Sequence, residues 1–207
     1  FLKTNTAKGG GVILAVKNSF ISSEINLLQS PFKAFHFIDV LAVKVSDGTF
    51  NVIIFVIYIP ASLSNDYFRS VFDAFSSFQL IFNSDVIIVG DFNVPDFIYM
   101  ADSNCVSGKA LPLLDFMTFM NLKQYNKVLN VNNRVLDLVL SNKKCSVVKC
   151  LDPFVEEDIH HHSLCISVPY NIYDNESMMG RCDTTSYNFG KADLVSLYHR
   201  ISLVFSC

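Results

Sequence analysis

Two apolar, β-rich runs lie next to each other in residues 37 to 60, "FIDVLAVKVSDGTFNVIIFVIYIP". The dipeptide Asp47-Gly48 between them supplies the positive φ angles of a tight hairpin turn, so the pattern predicts a β-hairpin. The second run is apolar at consecutive positions, which is typical of a strand that is covered on both faces. We therefore predict a central strand in a sheet with further layers on both sides.

The hydrophobic period changes between residues 64 and 82, where phenylalanine and valine recur every three or four positions. This spacing predicts a helix whose phenylalanine stripe packs on the sheet, with Ser64, Asn65 or Asp66 as its N-cap. A second helix is predicted around residues 111–120. Further short strands are predicted in 9–16, 85–91, 135–141, 145–151 and 163–168. Mixed strands and helices with both hairpins and crossovers indicate an α+β or α/β layered sandwich.

The composition suits one compact domain. The chain has 207 residues, of which 51% are hydrophobic and 17% charged, enough to bury a full core. Residues 1–168 form this domain in our prediction, 169–189 are a polar linker, and 190–207 are a helix that leads toward a further domain. The sequence does not begin with methionine, and we expect that it starts inside a longer protein.

Charge and cysteine usage narrow the setting. A net charge of −3 gives no general basic field, so a nucleic acid would have to be held by local patches. The six cysteines form no CxxC pair, which favours reduced thiols in an intracellular protein. No apolar run reaches the length of about 18 residues that a membrane helix requires, so we expect a soluble protein without a membrane partner.

Candidate chemistry follows the apolar run Val86 to Val89, in "DVIIVGDFNVPDF". Asp91 and Asn93 stand where this strand ends, and binding groups in layered α/β folds are usually displayed at such ends. On an extended backbone their side chains would point to the same side. A carboxylate can take a proton from water and an amide can donate to a phosphate oxygen. The two residues are equally typical of a simple turn.

Three further features favour the chemical interpretation. Tyr58 ends another buried strand and could present its hydroxyl at the same rim. Asp137 is a lone carboxylate in an apolar strand, where ionisation is costly unless a partner donates a hydrogen bond to it. The histidines of "EEDIHHHSLCISV" precede the last strand, and an imidazole held by a buried aspartate is fixed in tautomer and stabilised as imidazolium.

Five motifs together resemble the endonuclease/exonuclease/phosphatase superfamily, and most closely the apurinic-type endonuclease domain of non-LTR retrotransposons. They are, in order, "GGGVILAVK", "VIYIP", "VIIVGDFNVP", "NNRVLDLVLSN" and "EEDIHHHSLCI". The segment "YNFGKADLVSLYHRISLV" also resembles the stretch that leads from that domain to a reverse transcriptase. The resemblance implies a four-layered α/β sandwich, DNase I-like, that is incomplete at its N-terminus.

The resemblance also implies roles for individual residues. Asp91 would align or activate the attacking water, and Asn93 and Tyr58 would bind the scissile phosphate. His161, oriented by Asp137, would stabilise the developing negative charge. Mg²⁺ or Mn²⁺ would be the cofactor, with no small-molecule cofactor, and the product would be a nick in one DNA strand with a 3′-hydroxyl. The setting would be the nucleus, with a reverse transcriptase domain in the parent polyprotein.

The chain departs from the family pattern at several positions. The family's metal-binding glutamate and an early asparagine precede the glycine-led strand and are not in this sequence, so we expect weak or no activity of the chain as given. Asp158 is a substitute metal ligand in our interpretation. His160 is the alternate to His161, because both stand at the family's aspartate-histidine pair. Arg134 is a candidate contact to the DNA backbone.

Alternatives stay open at this stage. The three adjacent histidines could instead bind a transition metal, although neighbours on an extended chain alternate between faces. The chain could be a metal-dependent DNA endonuclease of a mobile element, a catalytically dead relic or binding module, or a phosphatase on the same fold.

Overall fold

The computed structural model describes residues 1–3, 11–27, 32–95, 97, 108–153 and 157–169. The linker predicted for 169–189 lies outside this part of the chain except for its first residue. The helix predicted for 190–207 lies outside it entirely.

The described elements are ten strands, three α-helices and one 3₁₀ helix. The strands are β1 Leu2–Lys3, β2 Val12–Ile13, β3 Ile21–Glu24, β4 Asp39–Ser46, β5 Asn51–Tyr58, β6 Asp85–Asp91, β7 Lys123–Gln124, β8 Asp137–Ser141, β9 Ser146–Lys149 and β10 Leu164–Ser167. The helices are the 3₁₀ helix Phe32–Phe37, α1 Asn65–Ser76, α2 Gln79–Phe82 and α3 Ala110–Phe119.

Six strands form one mixed sheet in the order β3-β4-β5-β6-β8-β7. β5 and β6 are parallel and are connected through α1 and α2, while the other neighbouring pairs are antiparallel. β1 pairs with β2, and β9 pairs with β10, as two separate antiparallel pairs. The parallel pair at the centre places the C-terminal ends of β5 and β6 at the same edge of the sheet.

The helices cover one face of this sheet. Ser64 caps α1, since its Oγ accepts from the amide of Tyr67 at 3.4 Å. The predicted phenylalanine stripe is buried: the ring of Phe75 lies 4.6 Å from Phe35, 5.4 Å from Phe55 and 5.7 Å from Phe116, measured between centroids. Burial of several such rings contributes a large part of the hydrophobic stabilisation, at about 1.5–3 kcal/mol each.

The opposite face carries a second apolar cluster, in which Leu41, Val43 and Val52 of the sheet pack with Val12 of β2. Val168, next to β10, packs against the same cluster. β5 is thus covered on both sides, as its unbroken apolar pattern predicts. The prediction of an α/β fold is confirmed, and the complete set of four layers stays a prediction.

The hairpin between β4 and β5 differs from the prediction. The connection is a four-residue loop rather than a two-residue turn, and Gly48 alone of the Asp47-Gly48 pair has a positive φ, +94°. The reason is that Oδ1 of Asp47 accepts from the amides of Thr49 and Phe50 at 2.8 and 3.1 Å and closes a wider loop. The register of the two strands nevertheless places Tyr58 at the rim.

None of the helices in the described ranges is long and apolar enough to cross a membrane.

Candidate active site at the ends of the central strands

One row of polar residues crosses the sheet where the apolar rows end. The register pairs Asp39 of β4 with Tyr58 of β5, Tyr58 with Asp91 of β6, and Asp91 with Asp137 of β8. Residues that are directly opposite each other on neighbouring strands point to the same face of the sheet. The row before it on that face is Leu41, Val56, Val89 and Val139, all apolar. We call Asp39, Tyr58, Asp91 and Asp137 the polar row.

Gly90 lets Asp91 reach this position. Its φ is +142°, and a Cβ added there would lie 1.8 Å from the carbonyl oxygen of Ile57. A side chain is therefore excluded by the close approach of β5. Phe92 is fully buried and lies nearly parallel to the ring of Phe72, 18° between planes, which anchors the chain between Asp91 and Asn93.

Asn93 folds back onto Asp91 instead of continuing the strand. Its φ is +50°, in the left-handed region, so the extended backbone that a same-side arrangement of the two side chains requires does not continue to Asn93. The Nδ2 group of Asn93 donates to Oδ2 of Asp91 at 2.7 Å and to the carbonyl of Ile59 at 2.9 Å, and its amide donates to Oδ1 of Asp91 at 3.0 Å. Both carboxylate oxygens of Asp91 are thus oriented by Asn93.

His161 lies between the carboxylates of Asp137 and Asp91. Its Nδ1 is 3.1 and 3.0 Å from the two oxygens of Asp137. Its Nε2 is 3.9 Å from Oδ2 of Asp91, too far for a direct hydrogen bond. One oxygen atom placed between Nε2 and Oδ2 could contact both. The aspartate that was conspicuous in an apolar strand therefore holds the imidazole, and the imidazole faces the aspartate of the opening motif.

The surroundings of this group raise the pKa of both Asp91 and His161. Burial raises the pKa of Asp91 above its usual 3.8, against the hydrogen bond from Asn93 and the charge of His161. Burial opposes the charged form of His161, but the charge and hydrogen bond of Asp137, with the charges of Asp91 and Asp158, raise its pKa above 6.5. Asp91 is thus a better proton acceptor than an exposed aspartate, and His161 stays an imidazolium to higher pH than an exposed histidine.

The neighbouring histidines are placed differently. His160 is exposed, and its Nδ1 lies 3.5 Å from Nδ2 of Asn132. Nδ1 of His162 lies 3.4 Å from Oε2 of Glu157 without the geometry of a hydrogen bond. Asp158 is exposed, and its Oδ1 accepts from the amide of His160 at 2.8 Å. The three histidines therefore point to different partners.

The asparagine-rich loop before β8 supports the site, and the sequence reasoning missed this. Asn126 is buried, and its Nδ2 donates to the carbonyl of Asp137 at 2.6 Å. The buried Oδ1 of Asn130 accepts from the amides of Asn132 and Arg134 at 2.9 and 3.0 Å. The signal was the repeated asparagine in "YNKVLNVNNR", since this side chain commonly closes turns on its own backbone.

A cleft of about 460 Å³ lies beside Asn93. Two cationic residues, Lys109 and Arg134, line it together with the amides of Asn65 and Asn93, and none of its described lining residues is acidic. Nζ of Lys109 donates to the carbonyl of Ala61 at 2.8 Å, which holds the ammonium at the wall. The cleft is a local cationic patch in a chain of net negative charge.

Asp91, Asp137 and His161 are a group that could hold a metal ion, since one ligand atom of each lies within 4.8 Å of the others. The group offers two carboxylates and one imidazole. Both oxygens of Asp137 face His161, and a protonated imidazole has no lone pair to offer. Proteins usually bind Mg²⁺ through one or two carboxylates, and water and phosphate oxygens complete its coordination. Asp158 is not part of this group.

Several solved structures are similar to this chain. The endonuclease domain of TRAS1, a telomere-specific non-LTR retrotransposon, is 10% identical, with a TM-score of 0.57 over 82% of this chain and 79% of that one. The human Nocturnin catalytic domain with bound sulfate is 18% identical, with a TM-score of 0.44 over 74% and 62%. The Haemophilus ducreyi cytolethal distending toxin is 13% identical, with a TM-score of 0.37 over 71% and 57%.

The last two scores are too low to carry an argument. The first shows that the chain shares the α/β fold of the TRAS1 domain. No family model and no curated protein matches the sequence.

Proposed function

We propose that the chain is a metal-dependent phosphodiesterase that nicks DNA. The observation that carries this proposal is the placement of His161 between Asp137 and Asp91 at the ends of the central strands, with Nε2 and Oδ2 separated by 3.9 Å. A proton acceptor and a cationic group that face one small gap suit attack of water on a phosphate.

Asp91 is the general base of the proposed reaction. Its raised pKa and its two hydrogen bonds from Asn93 give a fixed carboxylate that accepts a proton from the attacking water. A bond forms between the water oxygen and phosphorus, and the bond from phosphorus to the 3′ oxygen breaks. The 3′ oxygen takes up, by way of solvent, the proton that Asp91 accepted from the water, and leaves as the hydroxyl end of the nick.

His161 stabilises the negative charge that develops on the phosphate. Asp137 holds Nδ1, which leaves Nε2 as the donor toward the gap. The fixed donor needs no reorganisation when charge develops, which is the main source of this kind of stabilisation. Tyr58 stands beside Asp91 in the polar row and is our second phosphate-binding group. Asn93 binds phosphate only if its Nδ2 is redirected from Asp91 or Ile59.

A divalent cation, Mg²⁺ or Mn²⁺, would be held next to Asp91 through water and phosphate oxygens, and would supply Lewis-acid chemistry at the phosphate. We assign His161 to the phosphate and not to the metal. Its raised pKa disfavours the neutral ring that is needed to bind a metal.

DNA as the substrate is supported by the cleft beside Asn93. Lys109 and Arg134 offer two cations next to the scissile position, which suits a phosphate backbone that continues from the site. The likeness of fold to a retrotransposon endonuclease domain supports a mobile element as the setting. A reverse transcriptase in the parent protein and a nuclear site of action complete the proposal.

The test is nicking of supercoiled plasmid with Mg²⁺ by the chain and by its Asp91→Asn variant. We expect slow formation of open-circular DNA by the unsubstituted chain at high protein concentration, because the family's metal-binding glutamate is not in this sequence, and none by the variant. A DNA polymerase should extend the nicks, since it requires a 3′-hydroxyl. Equal conversion by both proteins would refute the proposal. DNA binding without any difference in cutting would indicate a binding module instead.

A further inference from the structure

Asp39 is a fourth member of the polar row, and the proposed chemistry leaves it unused. It begins β4 and stands directly opposite Tyr58, on the side away from Asp91. It is 2% exposed and is the one carboxylate in the buried class among the described residues. Its neighbours along the same face of β4 are Leu41 and Val43, which belong to the apolar cluster.

A carboxylate in such a position is costly unless hydrogen bonds are donated to it. One donor is the amide of Gly11, 3.0 Å from Oδ2. Gly11 has a φ of +109° and directly precedes β2. This hydrogen bond joins the residue before β2 to the first residue of β4, which is directly opposite Tyr58.

We propose that Asp39 is a positioning residue that fixes Tyr58 for phosphate binding, and this rests on the proposed function. Directly opposed residues of an antiparallel pair have Cβ atoms about 4.5–5.5 Å apart, so the carboxylate of Asp39 limits the space open to the Tyr58 side chain. Gly11 holds that carboxylate in place. The tyrosine is thus bounded by Asp39 on one strand and by Asp91 on the other.

The lone aspartate of "FIDVLAV" has the same sequence context as Asp137: one carboxylate among apolar strand residues. The carboxylate of Asp137 contacts Nδ1 of His161. Asp39 stands on the strand beyond the tyrosine, at the same level of the sheet, and is more deeply buried than Asp137. The recurrence of this pattern at one row indicates that both carboxylates serve the rim.

The first test measures position and does not depend on activity. Ring order of ¹³C-labelled tyrosines is measured by relaxation, with Tyr58 assigned by the loss of its signal in Tyr58→Phe. We expect Asp39→Ala to lower the order of the Tyr58 ring and to raise amide exchange at Gly11 at least about tenfold. Asp39→Asn keeps an acceptor oxygen and should retain much of both. An unchanged Tyr58 ring in both variants would overturn the proposal.

The second test is a double-mutant cycle on cleavage of a labelled DNA duplex. Asp39→Ala should lower kcat roughly tenfold with a small change in KM, because misplacement of a group costs rate more than binding. In the Tyr58→Phe background the same change should cost little, since residues that act through one another are not additive. Asp73→Asn, an exposed carboxylate on α1, is the matched control and should change neither measurement.

The outcomes separate the two proposals. Full multiplication of the two rate losses would show that Asp39 does not act through Tyr58, and would overturn the inference while the nuclease stands. A wild-type chain that cuts the duplex no faster than Asp91→Asn refutes the nuclease, and the ring order of Tyr58 then decides about Asp39. If Asp39→Ala does not fold, Asp39→Val, which also removes the acceptor oxygens but suits a buried strand position, carries both tests.

Discussion

Asp91 and Asp137 are directly opposed on neighbouring strands, yet both carboxylates are kept close because the imidazole of His161 lies between them. Like charges at opposed positions of a sheet destabilise it unless a cation intervenes. Nδ1 of His161 lies 3.0 Å from Oδ2 of Asp137, and Nε2 lies 3.9 Å from Oδ2 of Asp91. The two aspartates therefore have different surroundings. This asymmetry underlies the division of roles between them.

Replacing Asp137 with asparagine should lower the pKa of His161. Asp137 raises that pKa through its charge and its hydrogen bond, so their loss lets burial and the weaker remaining charges set the value. We expect the alkaline limb of the nicking profile to move to lower pH, because the imidazolium is lost earlier. The ring signals of His161, followed by NMR between pH 5 and 9, measure the change directly. Asp115→Asn on α3 should leave the titration as it is, and an unmoved His161 titration in Asp137→Asn would contradict the assignment.

The same shift affects stability in a defined pH window. A histidine whose pKa is raised in the folded state contributes stability that is present below its unfolded value and lost as pH rises through the folded value. Wild type should therefore lose part of its free energy of unfolding as pH rises from about 6 through the raised pKa, and His161→Gln should lose less. Urea denaturation at several pH values checks this. Identical pH profiles of the two proteins would contradict it.

Gly90→Ala should destabilise the fold severely. The added Cβ meets the Ile57 carbonyl oxygen at 1.8 Å, and the φ of +142° is itself unfavourable for alanine. We expect a loss of about 3 kcal/mol or more in the free energy of unfolding. Gly48→Ala is the matched control, because its φ is +94° but nothing lies within 4 Å of the new Cβ, and about 1 kcal/mol is expected there. Equal losses in both variants would show that the contact with β5 does not matter.

Lys109→Gln and Arg134→Gln should each weaken DNA binding and reduce its salt dependence. Each cation that neutralises one phosphate contributes about 0.9 to the slope of log affinity against log salt. Fluorescence anisotropy of a labelled duplex between 50 and 200 mM salt measures both quantities. Lys123→Gln is the control, since Lys123 pairs with Ser141 at the end of β8 that lies away from Asp137. An equally large loss of DNA affinity in Lys123→Gln would contradict the binding of DNA in the cleft.

Much of the fold could be predicted because its signals are local. The phenylalanine stripe of α1 and the unbroken apolar pattern of β5 each follow from one element and its burial. The conformation of Asn93 could not be predicted. Its side chain in the left-handed conformation donates hydrogen bonds to Asp91 and to the carbonyl of Ile59, and Ile59 is distant from it in the sequence. The wide loop at Asp47 is a similar case, since one side chain with three hydrogen bonds outweighs the turn preference of the dipeptide.

The site could be predicted only in part, because it also depends on contacts between segments that are distant in the sequence. A lone aspartate in an apolar strand marked Asp137, but which of the adjacent histidines it holds depends on how the chain turns at Asp158, where the carbonyl accepts from the amide of His161. Asp39 has the same local pattern as Asp137. Its importance appears only with the register of β4 and β5, which no single segment reveals.

The central claim is that Asp91 and His161 act as one catalytic unit on a phosphate. The most direct measurement is the nicking rate of supercoiled plasmid by Asp91→Asn, His161→Gln and the double variant, with wild type and Mg²⁺ in each series. We predict that each single variant loses roughly a hundredfold or more and that the double variant is no slower than the slower single variant. Losses that multiply in the double variant, or a single variant that cuts as fast as wild type, would contradict the account.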